Sequence, residues 1–165
     1  MIIFLKKHWR ILFFIFCGVA LRFGVSLVGS NYDLESYHIV GKLVAQGKNV
    51  YAETYRYNYG PAWALLLGIF RMGANLLPNP NLIFRLFIIA ILSLSDVSLF
   101  FWLKKNISQK AAYWFFFNPI SIYISGYHNQ FDTIAIALAL YSTLFLFQKK
   151  KHSLIGVLLL GLSNS

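Results

Sequence analysis

Two carboxylates one residue apart, in Asn31-Tyr32-Asp33-Leu34-Glu35, form the densest acidic grouping of the chain. Such a pair can supply a general base or a metal ligand. It reads equally well as the first turn of a helix, where acids complement the positive end of the backbone dipole. A second polar grouping, Tyr127-His128-Asn129-Gln130-Phe131-Asp132, offers donors and acceptors suited to sugar hydroxyls or a phosphate. Asp132 alone would also serve as a helix cap. Arg56 lies among Tyr51, Tyr55, Tyr57 and Tyr59. Its guanidinium fork suits a phosphate, and the tyrosines suit a water–membrane boundary. Arg22 and Asp96 fall inside apolar runs. An unpaired carboxylate at mid-bilayer costs about 2.5–3.5 kcal/mol, so Asp96 must pair, with an arginine of a lipid-binding site or with a backbone group, and a structural role is favoured over catalysis. Arg22 either snorkels to the boundary or meets a lipid phosphate.

The sequence contains no P-loop, no G-x-G-x-x-G after a strand, no H-E-x-x-H and no C-x-x-C. His8, His38, His128 and His152 show no metal-ligand spacing. No metal site and no nucleotide site is expected, so a donor substrate would arrive through the membrane.

The elements that must hold these residues are apolar helices. Of 165 residues 58% are hydrophobic and 12% charged, with mean hydropathy +0.61. Soluble domains carry about 25% charged residues, so a soluble enzyme core and a disordered chain are excluded. A single cysteine, Cys17, excludes a disulfide framework. The net charge of +10 reports loop orientation first, because the basic residues sit in short runs between apolar segments; nucleic-acid binding is not expected.

Expected spans are about 11–28, 83–103, 111–127 and 133–147. A partial stretch, 153–165, falls short of the ~20 residues a bilayer requires, so the chain reads as truncated or as ending in a half-span. No internal repeat is visible. Between the first two spans, 29–82 turns polar and carries two surface helices. Asn31 or Ser30 would cap the first and Gly47 would stop it; the second, Pro61–Leu77, follows the Gly60-Pro61 breaker. If Pro61–Leu77 crossed the membrane, Lys104, Lys105, Lys110 and Lys149–Lys151 would lie opposite Lys6, Lys7 and Arg10, against the positive-inside rule. If it lies on the outer surface, all nine basic residues are cytoplasmic and Asp33, Glu35, Glu53 and Asp132 are external. The second arrangement is preferred, and an interfacial helix tolerates Arg71. Asn118-Pro119 predicts a kink in the third span.

Four landmarks in order resemble the GT-C superfamily of polyprenyl-phosphate-sugar-dependent glycosyltransferases. They are Asn31–Tyr37 with its acidic pair; Gly47-Lys48-Asn49-Val50-Tyr51 followed by Thr54-Tyr55-Arg56-Tyr57-Asn58-Tyr59-Gly60-Pro61; Ser95-Asp96; and Asn118-Pro119 followed by Gly126–Asp132. The second is similar to the G-x-x-P-Y and T-Y-R-Y-T-P segments of the mannosyltransferase that starts GPI-anchor glycans. The last is similar to the G-H-F-Q-Y-N loop of dolichyl-phosphate-glucose-dependent glucosyltransferases. Val50 replaces the family's proline, and Glu35 stands where the acidic motif has Asp. The resemblance implies an all-α polytopic membrane protein, a helical bundle with a long external first loop. Members carry roughly twice as many spans, so it also implies an N-terminal fragment.

The implied activity is inverting transfer of a hexose, with mannose the sugar that the second motif's resemblance suggests, from a polyprenyl-phosphate carrier to a glycan or lipid-linked acceptor. No cofactor is obligatory and a divalent cation is optional. Membrane lipid is a partner, and a bacterial plasma membrane is favoured over the ER membrane. The phosphate leaves without protonation, so one carboxylate suffices as base. Asp33 is preferred, with Glu35, about 200° away on a helix, as its neighbour. Arg56, Tyr57, His128, Gln130, Asp132 and Arg22 are the substrate-binding candidates. The rival reading is a non-enzymatic membrane subunit or transporter fragment; a transporter predicts repeats and broken helices at the midplane, whereas the polar residues here cluster outside.

Overall fold

The computed structural model describes residues 2–147 and 153–163, and within them the chain is helical, without strands. Helices α1 (Ile2–Ser26), α2 (Tyr32–Ala45), α3 (Val50–Glu53), α4 (Pro61–Ala74) and α5 (Pro80–Asn106) are followed by α6 (Gln109–Phe117) and α7 (Pro119–Tyr123). A π-helical turn (Ile124–His128), α8 (Asp132–Phe147) and α9 (Ser153–Ser163) complete the order. The expected cytoplasmic cluster Lys149–Lys151 lies outside the described residues.

Two helices, Trp9–Ser26 and Pro80–Asn106, are long and apolar enough to cross a membrane. They pack against each other through Ile15, Val19, Val97 and Phe100, with Phe116 and Ala112 of α6 completing the cluster. The stretch 111–127, expected as one span, is instead three pieces. Ser108 caps α6 by accepting from the Ala111 N–H at 3.1 Å. Pro119 cannot supply the N–H that Phe115 needs, so the Phe115 carbonyl accepts from Asn118 N–H at 3.3 Å. Asn118 then caps α7 through the Ile120 N–H at 2.9 Å. The kink expected at Asn118-Pro119 is therefore a full break. Helix α8 has 16 residues, about 24 Å at 1.5 Å per residue, so the stretch 133–147, expected as a span, is like Pro61–Ala74 an apolar helix shorter than the ~20 residues a bilayer core requires. It packs against α5, with Ser95 donating to the Thr133 carbonyl at 2.8 Å and Ser98 to the Tyr141 hydroxyl at 3.0 Å.

Residues 29–82 fold onto the N-terminal end of α5 as a small helical unit. Asn31 caps α2 with its Oδ1 on the Leu34 N–H at 2.9 Å. Gly47, with φ +71, ends it. Its N–H reaches the Val44 carbonyl at 2.9 Å and the Lys48 N–H reaches Leu43 at 3.0 Å, the Schellman pattern that needs a left-handed residue. Helix α4 is 14 residues long, about 21 Å, too short to cross a bilayer core. It lies against α2 and α5 through Trp63, Ala64, Leu67 and Ala74, which share a core with Leu34, Tyr37, Val40, Phe84 and Ile88. Arg71, expected on an interfacial surface, is instead buried between the helices. Its guanidinium covers the Phe84 ring at 4.4 Å and donates to Asn81 Oδ1 at 3.1 Å and to His38 Nδ1.

That last bond requires a neutral imidazole, because arginine can only donate. Burial, then the charges of Arg71, Lys42 and Arg85, push the His38 pKa down from 6.5 to about 4. Above pH 6.5 His38 is neutral in both the folded and unfolded states and its contribution is complete. As pH falls from 6.5 towards 4 the unfolded chain takes the proton and the folded chain does not, so stability falls by up to about 1.4 kcal/mol per pH unit. The melting temperature in detergent is expected to drop between pH 7 and pH 5 and to flatten over that window in His38→Gln. A parallel slope in the variant would assign the loss to other groups.

Candidate functional site

The cap that starts α2 also anchors the distant polar loop, since Asn31 Nδ2 donates to the Tyr127 carbonyl. This brings residues 31–35 against 127–130. Gln130 Nε2 donates to Asp33 Oδ2 at 2.6 Å, and His128 Nδ1 lies 3.7 Å from the same oxygen. The Asp33 side chain is 26% exposed, enough to meet a ligand while held in place. Because Asn31 does the capping, the Asp33 carboxylate is left to these side-chain partners.

Glu35 points elsewhere, as the helical offset between i and i+2 dictates. Its Oε2 is 3.5 Å from Arg56 Nη2, with the Glu35 side chain 57% exposed. Arg56 sits over the Tyr32 ring at 4.0 Å and donates to the Tyr32 carbonyl at 3.3 Å. Asp33, His128 and Gln130 thus meet on one face of the start of α2, and Glu35 and Arg56 meet on another. Asp132 opens α8 and is exposed. The turn that contains it is closed by the Phe131 carbonyl, which accepts from the Ile134 N–H at 2.8 Å.

Sequence reasoning passed over Tyr59, which stands beside the acids. Burial first, then the charges of Asp33 and Asp132, raise its pKa above the usual 10. Its ring meets Phe131 edge-on at 4.9 Å, and Phe131 stacks on Trp63 at 5.1 Å. These rings wall the Asp33 face on the α4 side. Burial likewise raises the Tyr37 hydroxyl, with Tyr59 and Asp33 adding to it. The tyrosine run was the available signal for this wall, but composition could not say which ring turns inward.

Two expected binding residues are buried with partners of the fold itself. Tyr57 is 4% exposed and its hydroxyl donates to the Gly60 carbonyl at 2.6 Å, so it props the turn before α4. Arg22 is taken up inside the protein and not at the membrane boundary. It is fully buried, with Nε 2.6 Å from Asp96 Oδ2. Its other N–H groups serve the Gly18 carbonyl at 3.0 Å, the Phe116 carbonyl at 3.1 Å and Ser121 Oγ at 3.2 Å. Asp96 therefore finds its required partner inside the protein. The pair lies beneath the polar loop, where Gly126 abuts α1 so closely that a Cβ would stand 3.0 Å from the Arg22 carbonyl oxygen.

The loop itself is held by Asn129, at φ 59 in the left-handed region, where asparagine is among the tolerated residues. Its Nδ2 donates to the Ser125 and Gly126 carbonyls at 3.3 and 3.0 Å. Among the described residues no cluster of three or more His, Cys, Asp or Glu side chains could hold a metal ion. No protein-family model, no curated protein and no solved structure matches this chain.

Proposed function

We propose that the chain is a multi-pass membrane glycosyltransferase module that moves a hexose, with inversion, from a polyprenyl-phosphate carrier to a glycan or lipid-linked acceptor. One observation carries the reading: Asp33 is held by Gln130 and flanked by His128, so the two segments that resemble GT-C motifs meet at one carboxylate. In this reading Asp33 takes the proton of the acceptor hydroxyl as it attacks the anomeric carbon. Gln130 orients the carboxylate, and Arg56, held by Tyr32 and Glu35 at the start of the same helix, meets the donor phosphate with paired N–H groups. The scheme does not require a divalent cation and is compatible with one.

The membrane arrangement follows from charge and helix direction. Helix α1 runs outward, residues 29–82 lie outside, and α5 returns to a boundary marked by Lys104 and Lys105. The broken segment and α8 complete a bundle in which 127–132 is external and 104–110 cytoplasmic, in the sense of a bacterial plasma membrane. Tyr55 is 94% exposed and Ser108 is exposed, which makes them suitable labelling positions. In a Cys17→Ala background, Tyr55→Cys is expected to react with an impermeant maleimide on intact cells and Ser108→Cys only after permeabilisation. Labelling of position 108 from outside would overturn this topology.

The activity is tested by incubating the protein in detergent with labelled polyprenyl-phosphate hexoses and glycan acceptors. Hexose transfer with at least one donor is expected, and complete recovery of every donor intact would overturn the proposal. Given transfer, Arg56→Ala should lower kcat/KM for the donor more than tenfold, the loss of a charge-assisted contact of about 1.5–3 kcal/mol. An unchanged value would leave Arg56 as an anchor for Tyr32 and Glu35.

A further inference from the structure

At the end of α1 opposite Asp33, a groove of about 850 Å³ opens between α1 and α6. Arg10 and Lys110 stand at one end, and Phe14, Tyr113, Trp114 and Phe117 form its walls. No acidic side chain lines it, and neither cation takes part in an ion pair among the described residues. The walls are fixed by ring packing, with Phe14 edge-on to Tyr113 at 5.4 Å and to Phe117 at 6.0 Å. Phe14 and Trp114 are nonetheless 44% and 69% exposed.

The groove's length and placement say what fits. From Gln109 to Phe117, α6 rises about 12 Å, close to half of a ~30 Å hydrocarbon core. Arg10 opens the apolar stretch of α1, and Lys110 opens α6 just beyond Lys104 and Lys105. The cations therefore mark the boundary and the aromatic walls run from it towards mid-bilayer. We infer that this groove is a binding site for an anionic phospholipid of the leaflet on the basic side. Its phosphate meets Arg10 and Lys110, and one acyl chain lies along Phe14, Tyr113, Trp114 and Phe117. The inference rests on the membrane placement proposed above and not on the glycosyltransfer reaction, whose site lies at the other end of α1.

Trp114 reports occupancy directly. Trp9→Phe and Trp102→Phe leave Trp114 as the accessible indole, since Trp63 is buried in the core at 5% exposure. The protein is reconstituted into phosphatidylcholine vesicles doped with either dibrominated phosphatidylglycerol or dibrominated phosphatidylcholine, and indole quenching is titrated. An anionic headgroup gains about fivefold in local binding per cation it meets. Phosphatidylglycerol is therefore expected to reach half-quenching at one-fifth or less of the mole fraction that phosphatidylcholine needs. The exposed double variant Arg10→Gln/Lys110→Gln should erase that difference. Equal titrations by the two lipids would mean unselective apolar contact and overturn the site, as would a preference that survives in the double variant. Absence of quenching by either lipid in vesicle-bound protein would mean that another segment or a second copy covers the groove, which also overturns it. Protein that stays out of the vesicle fraction would overturn the membrane placement, and this inference with it.

Discussion

Asp33→Asn is expected to reduce hexose transfer by about 10²–10⁴-fold, the range general-base assistance supplies, with thermal unfolding unchanged. Asparagine keeps an oxygen where Asp33 Oδ2 accepts from Gln130 at 2.6 Å, but it cannot take a proton from an attacking hydroxyl. The cap of α2 belongs to Asn31, so the substitution leaves the helix start intact, and a loss of activity cannot be attributed to fraying. Glu35→Gln is the paired control. Its contact with Arg56 is 3.5 Å long on an exposed side chain, and such surface pairs contribute about 0–1 kcal/mol. Its transfer rate is expected to stay within tenfold of the parent. The two variants are compared by initial rates with one labelled donor and by melting in the same detergent. If Asp33→Asn keeps more than a tenth of the parent rate while Glu35→Gln does not, the base is Glu35.

Features written locally in the sequence were legible. Asn31 three residues before Leu34, and Gly47 after the last apolar position of α2, each specify a backbone hydrogen-bond pattern that the fold contains. The acidic pair diverges between Gln130 and Arg56 because residues two apart on a helix cannot face one way. The contact of Asp33 with the His128–Gln130 loop was not legible, since no spacing rule connects Asp33 and Gln130, 97 residues apart.

What stayed hidden depends on burial and on long-range partners. Arg71 looked compatible with a surface because hydropathy assigns every arginine a cost and none a pocket. Its guanidinium is taken up by Phe84, Asn81 and a neutral His38. Tyr57 shares its surroundings in sequence with Tyr55, yet one is 4% and the other 94% exposed, a difference set by the Gly60 carbonyl that receives the Tyr57 hydroxyl. The break in 111–127 was underestimated because its apolar composition is uniform. Asn118 both ends α6 and caps α7, and only the accounting of the carbonyls at 115 and 116 shows where their bonds go.

One of those carbonyls leads to the largest expected loss of stability. Arg22→Ala or Asp96→Ala, taken singly, is expected to destabilise the protein by about 3–5 kcal/mol, the cost of stranding one member of a buried ion pair. Both side chains are 0% exposed and 2.6 Å apart, so the remaining charge would have neither water nor a counter-ion. The two losses should not be equal. Arg22 also serves the Phe116 carbonyl at 3.1 Å, left without its helical partner because the Ile120 N–H is taken by Asn118. Removing Arg22 therefore uncovers a backbone acceptor as well as Asp96, whereas removing Asp96 leaves the carbonyl contacts of Arg22 in place. Replacing both, in Arg22→Met/Asp96→Leu, removes the stranded charge. It should recover most of the loss relative to Arg22→Ala, short of the parent by the ~1–3 kcal/mol of an unsatisfied buried carbonyl. Chemical denaturation in mixed micelles measures all four proteins on one scale. Single variants within about 1 kcal/mol of the parent would mean that the pair is solvated in the folded state. A double variant no better than Arg22→Ala would place the loss in packing against Phe116, whose ring lies 4.5 Å from the guanidinium, rather than in the charge.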